Sequence, residues 1–229
     1  MSRHPAFAAT QVCVFDAYGT LLDVAGMAAR FKDALGDKTA ALMDLWRRKQ
    51  LEYSWLRSLM GRYTDFWHAT GEALDYAMET VGLVDPSLRS RLMEAWLDPR
   101  LYPEVPAMLE RLQAAGFKTA ILSNGSVSML TAGVSVTGLG PRLDAVLSVD
   151  QAGVFKPHPS VYKLATDRFG VEPRSVCFVS GNGWDVAGAS AFGFQVAWVN
   201  RAGAPAERLP GGGDAVIATL AELPPLLGA

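Results

Sequence analysis

Short apolar runs rich in β-branched residues recur along the chain. They predict strands over residues 11–15, 118–123, 145–148, 175–180 and 196–200, with a last short one over 215–218. Helical patterns lie between them: residues 104–115 lead to Gly116, and 160–169 lead to Gly170, each glycine placed as a helix C-cap. Continuous apolar strands alternating with helices predict a parallel sheet covered on both faces. Right-handed crossovers make that sheet doubly wound, so the expected fold is α/β and Rossmann-like.

One interval breaks the alternation. From residue 24 to 102 the patterns are helical and no strand is expected. The strongest covers 39–66, where Leu42, Leu45, Trp46, Tyr53, Leu56, Met60 and Tyr63 recur at helical spacings as one apolar stripe. In a continuous helix, at about 100° per residue, Arg47, Leu51 and Trp55 fall near the opposite side. A helix with two apolar faces is covered on both, so the interval is expected to lie over the sheet or against a second copy, as in a homodimer. Pro99, Pro103 and Pro106 punctuate its exit. The expected organisation is a Rossmann-like core domain of residues 1–23 and 103–229, interrupted by a helical cap subdomain of residues 24–102. Residues 202–213 read as a Gly/Pro-rich loop.

Composition narrows the class of function. The 229 residues include 21 Lys and Arg against 23 Asp and Glu, a net charge of −2 that argues against nucleic-acid or acidic-membrane binding. A hydrophobic fraction of 50% with 19% charged residues excludes a disordered chain. No apolar run approaches a bilayer span, and residues 1–10 lack the pattern of a signal peptide, so a cytoplasmic location is expected. The two cysteines, Cys13 and Cys177, each sit in an apolar run and read as buried reduced thiols, not as a disulfide framework or a zinc site.

In a doubly wound sheet, ligands bind beyond the carboxyl ends of the strands. The first strand is followed by Asp16-Ala17-Tyr18-Gly19-Thr20, and the second ends at Ser123 and Asn124. Lys156 and Tyr162 follow the third, and Ser180, Asn182, Trp184 and Asp185 follow the fourth. Taken singly, each has an ordinary reading. Asp16 suits a turn, Ser123 and Asn124 suit a cap, Lys156 a solvated loop and Trp184 the core. Asp185 suits a helix start, and Arg47 a surface charge with a buried stem. Their recurrence at equivalent strand ends favours one shared site. His4, His68 and His158 lie away from these ends, which argues against a Ser-His-Asp arrangement. Gly181, Gly183 and Gly188 do not have the spacing of a dinucleotide-binding loop, and no Walker phosphate loop is present.

Phe15-Asp16-Ala17-Tyr18-Gly19-Thr20-Leu21 resembles the first motif of the haloacid dehalogenase-like superfamily. Ser123-Asn124, the stretch from Lys156-Pro157 to Tyr162, and Ser180-Gly-Asn-Gly-Trp-Asp185 follow the same plan. With Leu45-Trp46-Arg47 and the segment from Arg57 to Tyr63, the chain resembles the L-2-haloacid dehalogenase branch over nearly its whole length. Phosphatases of the superfamily carry a second Asp where this chain has Tyr18, and usually more acids in the last motif. A halide, a weak base, needs no proton donor on leaving. Mg²⁺ would ask for carboxylate oxygens, and the last motif keeps only Asp185 as an acid, so no cofactor or metal is expected.

The resemblance implies that Asp16 attacks C2 of an L-2-haloalkanoate, forms an aspartyl ester with inversion, and is regenerated by water. Its implied helpers are Thr20, Ser180 and Asn182, which orient Asp16, and Lys156, which offsets its charge. Arg47 is implied to receive the halide beside Asn124 and Trp184. Ser123 and the N–H groups of Ala17 and Tyr18 would hold the substrate carboxylate. Asp185 would activate water or hold Lys156, and Tyr162 would support Lys156 or the pocket. Arg48, Leu51, Phe66 and Trp184 would wall the alkyl group. The glycines at 181 and 183 depart from the bulkier residues expected there and leave substrate size open. The implied partners are a small 2-haloacid and water, with no nucleic acid and no membrane. A Mg²⁺-dependent phosphatase and a non-catalytic binding protein of the same fold remain as alternatives.

Overall fold

A computed structural model describes residues 3–229 of the chain; Met1 and Ser2 of the expected 1–23 segment lie outside the described residues. Six strands form one sheet: β1 (Val12–Phe15), β2 (Lys118–Ser123), β3 (Ala145–Ser148), β4 (Val176–Ser180), β5 (Gln195–Val199) and β6 (Ala215–Ile217). Their order is β3-β2-β1-β4-β5-β6, with every neighbouring pair parallel. The doubly wound α/β architecture is therefore the one the strand pattern predicts, with boundaries displaced by a residue or less. The central strand is apolar throughout because it has no solvent face: all four residues of β1 are buried. Cys13 and Cys177 are register partners on β1 and β4, and both are buried free thiols.

The chain leaves β1 toward β2 on one side and returns to β4 on the other. That reversal opens a crevice beyond the carboxyl end of β1, where a ligand is bound in such sheets. Between β1 and β2 run α1 (Val24–Ala29), α2 (Lys32–Leu35), α3 (Thr39–Leu59), α4 (Phe66–Thr80), α5 (Pro86–Glu94) and α6 (Val105–Ala114). The remaining helices, α7 (Val127–Thr137), α8 (Pro159–Phe169), α9 (Gly183–Phe192) and the short α10 (Leu223–Leu226), connect or follow the later strands.

The single helix expected over 39–66 is two helices. α3 ends at Leu59; Gly61 takes a left-handed φ of +62°, and the Asp65 side chain caps α4 by accepting from His68 N at 2.8 Å. Tyr63, read as part of the stripe, lies in the connection and packs its ring 5.0 Å from Phe155. The stripe also divides. Leu42 and Trp46 are buried together with the polar Gln50 and Ser54, whereas Leu56 and Met60 are 44% and 63% exposed. Among the described residues, no helix is long and apolar enough to cross a membrane.

Candidate active site

Asp16 stands directly after β1, at the centre of the sheet, and is buried. Its Oδ2 accepts from Thr20 Oγ1 at 3.1 Å and from Asn182 Nδ2 at 2.8 Å; its Oδ1 faces Lys156 Nζ at 3.2 Å. Thr20 returns to Asp16 because the chain turns tightly at Gly19, whose φ is +87°. The same hydroxyl accepts from Gly181 N at 2.9 Å, joining the loops after β1 and β4. A Cβ at Gly181 would lie 2.4 Å from the Gly19 carbonyl oxygen, so the close approach of these loops requires glycine there. At Gly183 a Cβ would first meet the flexible Glu207 side chain, at 2.8 Å.

Lys156 is fully buried. Its ammonium lies 2.8 Å from Asp185 Oδ2, and Tyr162 OH donates to Asp185 Oδ1 at 2.8 Å. Burial pulls the lysine down, but Asp16 and Asp185 outweigh it and raise its pKa, so it stays charged. Burial pushes the Asp185 carboxyl up to about 6, against the pull of Lys156, with Asp16 adding to the rise. The ammonium thus bridges the two carboxylates, 3.2 Å from Asp16 and 2.8 Å from Asp185. Among the described residues, no group of three or more His, Cys, Asp or Glu side chains comes together as a metal-binding cluster.

Ser180 does not orient Asp16 directly. Its hydroxyl accepts from Asn182 N at 3.1 Å, because it caps the turn into α9, and so it reaches Asp16 only through Asn182. Asn182 also donates to Tyr18 O at 3.2 Å. Asn124 Oδ1 accepts from Lys156 N at 2.9 Å, while its buried Nδ2 has no hydrogen-bond partner within the protein.

Beside Asp16 lies a narrow cavity with about 10 Å³ of free space. The core supplies Asp16, Tyr18, Ser123, Asn124, Asn182 and Trp184; α3 supplies Arg47 and Leu51, and the start of α4 supplies Phe66. Arg47, Leu51 and Trp55 recur at four-residue spacing on one face of α3, and the Trp55 ring meets Trp184 edge-on at 5.4 Å. Arg47 Nη2 lies 3.5 Å from Asn182 Oδ1. Burial lowers the Arg47 pKa while Asp16 raises it, and a guanidinium remains charged throughout the working range. Arg48 is exposed and is not part of this cavity, one residue's rotation having carried it off the lining face. The Tyr18 hydroxyl donates to Trp96 O at 3.2 Å, and burial, then the charge of Asp16, raises its pKa. It therefore stays a neutral phenol turned toward the helices, not an acid at a leaving group.

Two buried polar residues at the site were not anticipated. Gln50 follows Trp46 by one helical turn on α3 and accepts from Arg47 Nη1 at 2.6 Å; Thr70 on α4 bonds Gln50. The only sequence signal was a glutamine on an otherwise apolar stripe. The half-buried Tyr63, expected on the stripe, instead donates to Asp150 Oδ1 at 2.5 Å, and Asp150 Oδ2 accepts from Val127 N at 2.8 Å at the start of α7.

A doubly wound sheet with an aspartate at the end of its first strand, a buried lysine beside it and a run of helices between its first two strands is the arrangement of a haloacid dehalogenase-like hydrolase. The family model for haloacid dehalogenase-like hydrolases matches residues 10–193, and the chain belongs to this family. It is 47% identical to (S)-2-haloacid dehalogenase 1 of Pseudomonas sp. (strain CBS-3) over 218 residues, which is 95% of this chain and 96% of that one. It is 48% identical to (S)-2-haloacid dehalogenase 4A of Burkholderia cepacia over 198 residues, 86% of each chain. The fold superimposes on the L-2-haloacid dehalogenase of Xanthobacter autotrophicus with chloropropionic acid covalently bound. The TM-score is 0.88 at 41% identity, over 96% of this chain and 99% of that one.

Proposed function

We propose that the protein hydrolyses L-2-haloalkanoic acids to D-2-hydroxy acids through an ester on Asp16. The observation that carries this reading is a buried carboxylate, fixed by Thr20, Asn182 and Lys156, facing a cavity that also holds an arginine. An Asp16 oxygen attacks C2 from behind the carbon–halogen bond, and halide leaves with the bonding pair, inverting C2. Water then adds to the ester carbonyl carbon of Asp16. The acyl C–O bond breaks, the hydroxy acid leaves and the carboxylate is restored.

Charge explains the cations. Two anions about 4 Å apart repel by about 4 kcal/mol at an effective dielectric of 20. In this reading Lys156 offsets the charge of Asp16, and Arg47 takes the developing halide with Asn124 Nδ2 and the Trp184 edge. Ser123 and the Ala17 and Tyr18 N–H groups receive the substrate carboxylate; Leu51, Phe66 and Trp184 enclose the alkyl group, without Arg48. Asp185, bonded to both Lys156 and Tyr162, holds the lysine. Holding nucleophile and C2 in line supplies about 7–11 kcal/mol of the barrier.

The reaction needs no metal in this reading. Incubation with L-2-chloropropionate and excess chelator is expected to release chloride and D-lactate in equal amounts. Phosphate release from aryl phosphates with Mg²⁺, and no chloride, would overturn it; inactivity on both would favour a binding role.

We further propose that residues 24–102 act as a cap over the core and that the protein works as a cytoplasmic homodimer joined through α3. Leu59 and Met60, 83% and 63% exposed at the end of that helix, support the dimer, and the free thiols fit a reducing compartment. Light scattering should give twice the chain mass of 24.6 kDa; a monomer at all concentrations would contradict this.

A further inference from the structure

Arg47 is held in an unusual electrostatic manner. Both of its side-chain hydrogen bonds go to neutral amide oxygens, Gln50 Oε1 at 2.6 Å and Asn182 Oδ1 at 3.5 Å. A carboxylate in either place would fix the guanidinium and also neutralise it. Amide oxygens fix it without adding a countercharge, so the carboxylate whose charge it feels is Asp16.

The Gln50 amide is itself fixed in direction. Gln50 and Thr70 are both fully buried. Thr70 Oγ1 lies 2.5 Å from Phe66 O, which can only accept, so the single hydroxyl proton goes there. Thr70 Oγ1 can then only accept at its other contact, 2.7 Å from Gln50 Nε2. The amide must therefore present its N–H to Thr70 and its oxygen to Arg47. A flipped amide would set N–H groups against the guanidinium and oxygen against oxygen. Trp46 Nε1 donates to Thr70 O at 2.9 Å and holds α4 in register with α3 at the same level. The chain of bonds thus runs from the Phe66 carbonyl, through Thr70 and Gln50, to the cation.

We propose that Gln50 is a positioning residue for Arg47, and that Gln50 and Thr70 set the strength with which the site holds a halide. This rests on the dehalogenase reading of Arg47. Gln50 touches neither substrate nor halide; it acts through the guanidinium. Glutamate at this position would keep the hydrogen bond and quench the charge. Valine at 70 would remove the hydroxyl that orients the amide, with no change in charge.

The test measures two quantities on intact protein: kcat for L-2-chloropropionate, and bromide affinity from quenching of tryptophan fluorescence, Trp184 being in the cavity wall. Gln50→Glu should weaken bromide binding and lower kcat, each by about 10- to 100-fold, as expected for a lost charge-assisted contact, with KM nearly unchanged. Thr70→Val should lower the same two quantities by about 3- to 10-fold, and Thr70→Ser, which keeps the hydroxyl, should restore them. Circular dichroism checks the fold; if Gln50→Glu unfolds, Thr70→Val decides. Bromide affinity and kcat within about twofold of the parent in the folded variants would overturn the proposal. A parent that releases no halide from any 2-haloacid would defeat the dehalogenase reading instead, and the bromide titration would still decide the role of Gln50.

Discussion

Asp16→Asn is expected to lower halide release by about 10⁴-fold or more while leaving the fold intact, because the amide is a far poorer nucleophile than the carboxylate. The substitution is nearly isosteric. Lys156 keeps Asp185 as a partner at 2.8 Å, so no buried ammonium is left unpaired. Stability and catalysis should therefore separate at this position. The check is chloride release by the purified variant beside its urea midpoint. Activity within about tenfold of the parent would show that Asp16 is not the nucleophile.

Lys156→Met should fail in both respects. The ammonium is fully buried between Asp16 and Asp185, and Asp185 is itself fully buried. Removing one partner of a buried ion pair costs about 3–5 kcal/mol, because the remaining charge is left uncompensated. The contribution of the lysine follows from the direction of its shift. Its folded pKa is raised, so the stabilisation is complete below the usual lysine range and disappears only as pH rises through the folded value. The urea midpoint of the parent should thus not respond to Lys156 between pH 7 and pH 9. The double variant Lys156→Met with Asp185→Asn should regain part of the lost stability, because one stranded carboxylate is gone, and none of the activity. Urea denaturation and chloride release on the two variants check this; a single variant as stable and active as the parent would contradict it.

The strands were legible because a sheet covered on both faces needs uninterrupted apolar runs, and VCVF at β1 is one. Much of the site was legible for the same topological reason: side chains placed just after neighbouring parallel strands converge. Asp16, Lys156, Asn182 and Asp185 do so here. Hydrogen-bond partners were less legible. Sequence order placed Ser180 near Asp16 but could not show that its hydroxyl turns to Asn182 N. The break after α3 was hidden because Met60 and Tyr63 continue the helical spacing by coincidence, although Gly61 and Asp65 were the local signs of a stop and a new start. Gln50 and Thr70 were hidden because a buried polar residue makes sense only with its partner, and these two pair across different helices. Arg48 illustrates the limit of carrying a position over by resemblance: beside Arg47 in sequence, it points away from the cavity that Arg47 lines.

The central claim is that the oxygen added to C2 comes from Asp16 and not from water. A single turnover of L-2-chloropropionate in ¹⁸O-water, with enzyme in excess, tests it most directly. Mass analysis of the peptide containing Asp16 should show one ¹⁸O in its carboxylate, with the D-lactate hydroxyl unlabelled. Label in the lactate hydroxyl, with none on Asp16, would mean that water attacks C2 directly and would contradict the account.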